Sequence, residues 1–110
     1  MVINFANPEK IEAFKGGEKH ILMELGYQDE DFRILRITIV PGASIGEHIH
    51  DLNCEIMYFI SGTGVCYSNG EGARITPGMA HYCRNMETHC IVNDGTEDLV
   101  LFAVVPQKLA

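Results

Sequence analysis

The chain has no cluster of lysine or arginine; its 8 basic residues are scattered among 15 acidic ones, for a net charge of −7. Nucleic acid and anionic membrane are therefore poor partners, because both are bound through concentrated positive charge. No apolar run approaches a membrane span. The longest, Leu99 to Val105, has seven residues, against the roughly 20 that a spanning helix needs. No export signal is legible near the start, where Asn4, Asn7, Glu9 and Lys10 interrupt any apolar stretch, so a cytoplasmic protein is expected. Cys54, Cys66, Cys83 and Cys90 form no CxxC pair, which excludes a zinc ribbon. Without export, a disulfide framework is not expected either. There is no repeat, linker or low-complexity tract.

What is present reads as strand. A chain of 110 residues with 46% hydrophobic and 21% charged residues is expected to fold as one domain, near the size where association often helps. Asn7-Pro8-Glu9 has the form of a helix start, Ile11 and Phe14 share a face, and Gly16-Gly17 ends the segment, so a short N-terminal helix is expected. From His20 onward short apolar segments alternate with Gly, Pro and Asn punctuation: His20–Leu25, Phe32–Val40, Glu55–Ile60, Gly64–Tyr67, Ala73–Thr76, Ala80–Arg84, His89–Val92 and Leu99–Val105. That density of strands predicts an all-β sandwich or barrel. The adjacent pair Ile34-Leu35 breaks the alternation of its strand, and a bulge there would restore it. Glu55–Ile60 and Leu99–Val105 are apolar on both faces, which predicts a homodimer covering Ile56, Tyr58 and Ile60. Cover by the N-terminal segment is the alternative.

One stretch points to chemistry: Gly42-x5-His48-x-His50-x4-Glu55-x6-Gly62. Side chains alternate along a strand, so His48 and His50 point the same way, with Ile49 opposite. A reversal at Asp51–Cys54 would return Glu55 on a neighbouring hairpin strand to the same face. Two imidazoles and a carboxylate buried together without a cation carry a high desolvation cost, so a metal ion is expected between them. A fourth ligand should come from farther along the chain. Met57, Phe59 and Ile91 share the inward parity and are expected to line the pocket, an apolar wall suited to a small organic ligand. Cys54 adjoins Glu55, but its parity points it away.

With those residues in view, the sequence resembles the cupin superfamily, whose small members are double-stranded β-helix (jelly-roll) barrels. Residues 42 to 62 match that family's first motif, G-x5-H-x-H-x3,4-E-x6-G, without departure. Gly78, His89 and Asn93 fit the second, G-x5-P-x-G-x2-H-x3-N, with Arg84 in place of its proline and Met86 in place of its glycine. The resemblance, over about residues 34 to 106, implies a barrel at 34–110 with residues 1–33 as a helix and strand packed on it. It makes His89 the fourth ligand. A rival alignment, Pro77-Gly78-x2-His81-x3-Asn85, would place His81 on the metal instead; otherwise His81 is a pocket candidate. Three His and one Glu suit one divalent Fe, Mn, Ni, Co or Zn and leave two positions open on an octahedral ion. The implied function is a metal-dependent enzyme acting on a small polar molecule, as a dioxygenase or a sugar isomerase or lyase. A non-catalytic metal or small-ligand binding module is the alternative. His81, Tyr58 and Glu47 are the titratable candidates for proton transfer.

Overall fold

The computed structural model describes residues 1–107. The strands are β1 (Glu9–Glu12), β2 (His20–Gln28), β3 (Phe32–Ile39), β4 (Ser44–Ile49) and β5 (Glu55–Ser61). β6 (Gly64–Ser68), β7 (Glu71–Ile75), β8 (Ala80–Cys83), β9 (Thr88–Val92) and β10 (Leu99–Pro106) follow. They form two antiparallel sheets, one of six strands ordered β1-β2-β3-β10-β5-β8 and one of four ordered β4-β9-β6-β7. The architecture is the all-β jelly-roll barrel that the strand pattern and the resemblance predict. Inward side chains of alternate residues fill the space between the sheets: Leu35, Ile37 and Ile39 of β3, Met57 and Phe59 of β5, and Leu99, Leu101, Ala103 and Val105 of β10. Ile45, Cys66, Ile75 and Ile91 meet them from the four-stranded sheet. The period of two read from the sequence is thus the period of burial.

The N-terminal helix is not formed. Its residues make the edge strand β1 and a single 3-10 turn, Phe14–Gly16. Asn7, Ala13, Lys15 and Lys19 all have positive φ, between 49° and 56°, which no α-helix accommodates. The helix signals were real but local. In the fold, Glu9–Glu12 instead pairs with β2, with Ile11 opposite Ile21, and both Ile11 and Phe14 pack against the core. Satisfying the donors and acceptors of an otherwise open strand outweighs the propensity of one helical turn.

The expected bulge lies in the partner strand. β3 runs unbroken against β10, while in β2 the register slips between Leu25 and Tyr27, so Gly26 is the extra residue facing the pair Ile34-Leu35. Ile34 simply points outward. The apolar outer surface of β10 is partly covered by the N-terminal segment, where Phe5 meets Phe102 edge-on with ring centroids 6.1 Å apart.

Asn93, from the second motif, ties the two sheets together at one end. Wholly buried, its Nδ2 donates to the Ile39 carbonyl at 2.7 Å and the Glu97 carbonyl at 2.8 Å, and its Oδ1 accepts from the Gly95 amide at 3.0 Å. Its backbone accepts from Gly42, at the corner where Pro41-Gly42 turns β3 into β4 with Gly42 at φ 79°. Asn93→Ala would remove these partners from the Ile39 and Glu97 carbonyls and the Gly95 amide. A loss of roughly 2–4 kcal/mol is expected, read as a lower urea midpoint at unchanged slope; a loss below about 1 kcal/mol would contradict this role.

Candidate metal centre

The sheets meet at one cluster of polar side chains. His48 lies in β4 and His89 in β9, as direct cross-strand partners. His50 follows the end of β4, and Glu55 opens β5, which belongs to the opposite sheet. The expected hairpin is therefore corrected. Glu55 does not return beside β4 but faces it across the barrel, because the Asp51–Cys54 segment crosses between sheets rather than reversing within one.

A bulge in β4 makes this possible. Ile45 pairs with Ile91 and His48 with His89, so three steps along β4 match two along β9. Strict alternation from the buried Ile45 would turn Glu47 and Ile49 inward and His48 outward. The extra residue reverses the parity, so Ile45, His48 and His50 all face the interior while Glu47 and Ile49 are exposed. Gly46 sits at the bulge, and its carbonyl accepts the Nδ1 proton of His48 at 2.8 Å. It also abuts the 3-10 turn so closely that a Cβ there would lie 2.1 Å from the Lys15 carbonyl oxygen.

Four donor atoms converge. His89 Nε2 lies 3.0 Å from His48 Nε2, 3.1 Å from His50 Nε2 and 3.1 Å from Glu55 Oε1. His50 Nε2 lies 3.0 Å from Glu55 Oε1, and all four groups offer ligand atoms within 4.8 Å of one another. Donors about 2.1 Å from one ion and at right angles around it are about 3.0 Å apart. The proton positions agree with such an ion. His48 gives its Nδ1 proton to a backbone carbonyl, and His50 gives its own to Asn53 Oδ1 at 2.7 Å, so both neutral rings turn an Nε2 lone pair to the centre. Lone pairs and a carboxylate this close, at 8% exposure or less for His50, Glu55 and His89, fit a cation between them. These residues could hold a metal ion.

The titration behaviour has the same origin. Burial alone would raise the Glu55 carboxyl, but hydrogen bonds from His50 and His89 outweigh it and hold it at about 2. His50 is raised above the ordinary imidazole value by its bond to Glu55, against its burial, with Asn53 adding to the rise. His48 is lowered by burial. A proton on His50 is thus the natural competitor of a metal ion here.

His48, His50 and Glu55 line a cavity of about 240 Å³. Met57 lines it, as expected. Phe59 and Ile91 do not; both are fully buried in the core beneath. His81 lies on the far side of the cluster, lining another cavity of about 330 Å³, and its Nε2 is 3.1 Å from His89 Nδ1. Of the other proposed bases, Glu47 is exposed at the bulge and Tyr58 is 48% exposed on the outer face of β5. Sequence reasoning missed Arg33 and Lys15, both of which line the cavity. Inward parity with Leu35 and Ile37 could have found Arg33. It also missed Asn53 and Gly46, whose roles depend on ring orientation and on the bulge. Arg84 and Met86, the departures in the second motif, leave the turn intact: Glu87 N donates to the Arg84 carbonyl at 3.1 Å, with Met86 at φ 70°. From that turn, the Met86 amide donates to the His50 carbonyl.

Comparison with known proteins follows the same lines. The family model described as Cupin domain matches residues 35–105. A curated oxalate-binding protein of Thermotoga maritima is 32% identical over 103 residues, which cover 89% of this chain and 85% of that protein. The crystal structure of a predicted oxalate decarboxylase from Thermotoga maritima superposes with a TM-score of 0.92 at 30% identity, covering 96% of this chain and 98% of that one. The structure of KdgF from Halomonas sp. shares the fold, with a TM-score of 0.74 at 22% identity, over 94% of this chain and 93% of that one.

Metal retention should depend on the orienting groups as well as the donors. Asn53→Ala removes the acceptor that fixes the His50 ring and is expected to weaken divalent metal binding about 10–100-fold, measured by competition with a chelator. On acidification, release should follow protonation of the histidine donors, His50 first, because its bond to Glu55 raises its metal-free value, at a pH that falls as the metal's affinity rises. Glu55, held at about 2, stays ionised throughout. Release that tracks protonation of Glu55 rather than of a histidine, followed by the imidazole NMR signals, would contradict this order.

Proposed function

The chain belongs to the Cupin domain family, and from that premise we propose that it binds a small carboxylate of the oxalate class through one divalent metal ion. The ion is held by His48, His50, Glu55 and His89, as the convergence of their four donor atoms supports. Fe, Mn, Ni, Co and Zn all suit this nitrogen and oxygen set. When bound, such an ion supplies open coordination positions and Lewis-acid polarisation for a chelating oxygen pair. The chain's own residues set the ligand class.

The observation behind this reading is Arg33. Arg36 and Arg74 are paired with Glu24 and Asp94. Arg33 is half-buried, lines the cavity and makes no ion pair among the described residues. In a chain of net charge −7, an inward arginine that pairs with neither Asp51 nor Glu55 of the same wall leaves room for an anion from outside. Guanidinium and carboxylate match geometrically as well as in charge. Lys15 adds a second cation on the cavity wall. The curated name oxalate-binding protein and the description of the Thermotoga maritima structure as a predicted oxalate decarboxylase both refer to oxalate. Binding without turnover is the favoured form, because none of Glu47, Tyr58 and His81 lines this cavity. Release of carbon dioxide from oxalate by the metal-loaded protein would establish the enzymatic form instead.

For assembly, we infer a homodimer through the outer face of β5 and β8, where Ile56, Tyr58, Ile60 and Tyr82 are 46%, 48%, 46% and 56% exposed. Four free thiols, three of them buried, suit a reducing compartment such as the cytoplasm.

Calorimetry on the metal-loaded protein tests the ligand class. Oxalate should bind, and a neutral 1,2-diol should bind far more weakly. Arg33→Ala is expected to lower oxalate affinity about 10–100-fold, the loss of a charge-assisted hydrogen bond, without changing metal content. Equal affinity for diol and dicarboxylate, or an unaffected Arg33 variant, would overturn the carboxylate reading. Separately, Ile60→Asp should shift the sedimenting species toward monomer, and a wild-type chain that is monomeric at micromolar concentration would refute the dimer.

A further inference from the structure

Behind His89 lies a second set of ligand atoms that the carboxylate site does not use. β8 turns two residues inward, His81 and Cys83, which pair across with Met57 and Glu55 of β5. A ring nitrogen of His81, the Cys83 sulfur and a ring nitrogen of His89 all lie within 4.8 Å of one another. His89 is shared by the two clusters. Its Nε2 faces His48, His50 and Glu55, and its Nδ1 faces His81 Nε2 at 3.1 Å. The other two site histidines direct Nδ1 at a backbone carbonyl and an asparagine oxygen. His89 alone directs it at a side chain that is itself a metal ligand by type.

Cys83 has no exposed surface, and burial pushes its thiol up to about 11. A thiol so placed is inert as a nucleophile, and its sulfur makes only long contacts, 3.5 Å to the Glu87 carbonyl and 3.9 Å to that of Arg84. A soft cation can displace its proton where a base at neutral pH cannot. His81 lines the cavity of about 330 Å³, and so does Cys66, which supplies a further sulfur on the same wall.

We infer that His81, Cys83 and His89 form a second metal site, suited to a thiophilic closed-shell cation such as Zn(II) or Cu(I), that shares the His89 ring with the first. Two imidazoles and a thiolate, completed by water, are a donor set that such ions favour and that Mn(II) and Fe(II) do not. With the first site filled, binding displaces one proton from Cys83 Sγ and one from His89 Nδ1. Both pass to solvent, and no electron is transferred. With both sites filled, His89 is an imidazolate bridge. The inference does not depend on which ligand the first site takes.

The test is titration of metal-free protein with Cd(II), following thiolate-to-metal charge-transfer absorption alongside stoichiometry by equilibrium dialysis. Wild type should bind two ions per chain and develop the thiolate band. Cys83→Ser should bind one ion and lose the band, whereas Cys90→Ser, altering a thiol outside the cluster, should match wild type. A His48→Ala, His50→Ala double variant should keep the band, which separates this site from any failure of the first. His81→Asn leaves the thiol in place and should weaken the band-forming ion about tenfold or more, so the question stays answerable if Cys83→Ser folds poorly. A wild-type chain binding a single ion without a thiolate band would overturn the site. So would a band that survives Cys83→Ser, or affinity unchanged in His81→Asn.

Discussion

Glu55 Oε1 and the Nε2 atoms of three histidines lie at contacts of 3.0–3.1 Å, and at that spacing groups that only accept hydrogen bonds repel unless positive charge lies among them. Much of the molecule's arrangement follows from this requirement. The donors come from both sheets, so whatever cation satisfies them also ties β4 and β9 to β5. In the absence of a metal ion the cheapest positive charge is a proton, and the raised value of His50 beside the depressed Glu55 is its signature. Metal and proton therefore compete for the same place. A ligand that stabilises only the folded chain adds to its stability by mass action, so site occupancy and barrel stability are linked.

Bringing His48 to that point depends on Gly46 more than on any donor. As the bulge residue, it lets Ile45 and His48 face inward together. Its carbonyl fixes the His48 tautomer. Its missing side chain lets the Phe14–Gly16 turn close over β4, with Gly17 packed as tightly on the other side, where a Cβ would lie 2.0 Å from the Ser44 carbonyl oxygen. That turn bears Lys15, one of the two cations of the cavity wall. One backbone irregularity thus couples the orientation of a donor to the charge at the cavity.

The strands and three of the four converging side chains were legible because each rests on a strong local rule, whereas His89 came from the resemblance in the second motif. Alternation gives the inward face of β3, β5, β9 and β10, and the spacing of His48, His50 and Glu55 survives any reasonable strand register. The misread features depended on distant partners. Asn7-Pro8-Glu9 has the letters of a helix start, yet the open edge of β2 takes the segment as a strand. Neighbouring in sequence, β4 and β5 look like a hairpin, but in a jelly roll they belong to opposite sheets. The bulge at Gly46 shifts parity without any mark beyond a glycine, so the inward direction of His48 was expected from an alternation that the strand does not keep. Asn53 was invisible as an orienting group, since its importance lies in which ring nitrogen it faces.

The cavity narrows the choice of ligand further than the fold does. Apolar side chains such as Leu35, Ile37, Ile45 and Met57 form much of its wall, and its volume of about 240 Å³ admits only a small molecule. A charged ligand entering such a space loses hydration along those walls and must recover it from the few polar groups present. The donor cluster and the two cations, Arg33 and Lys15, are among those groups. On the carboxylate reading proposed above, a neutral polyol gains little from either cation. A compact carboxylate meets both demands at once, chelating through adjacent oxygens and neutralising the arginine. On the proposed carboxylate reading, the electrostatics of this wall, rather than the barrel that positions it, would set the ligand class.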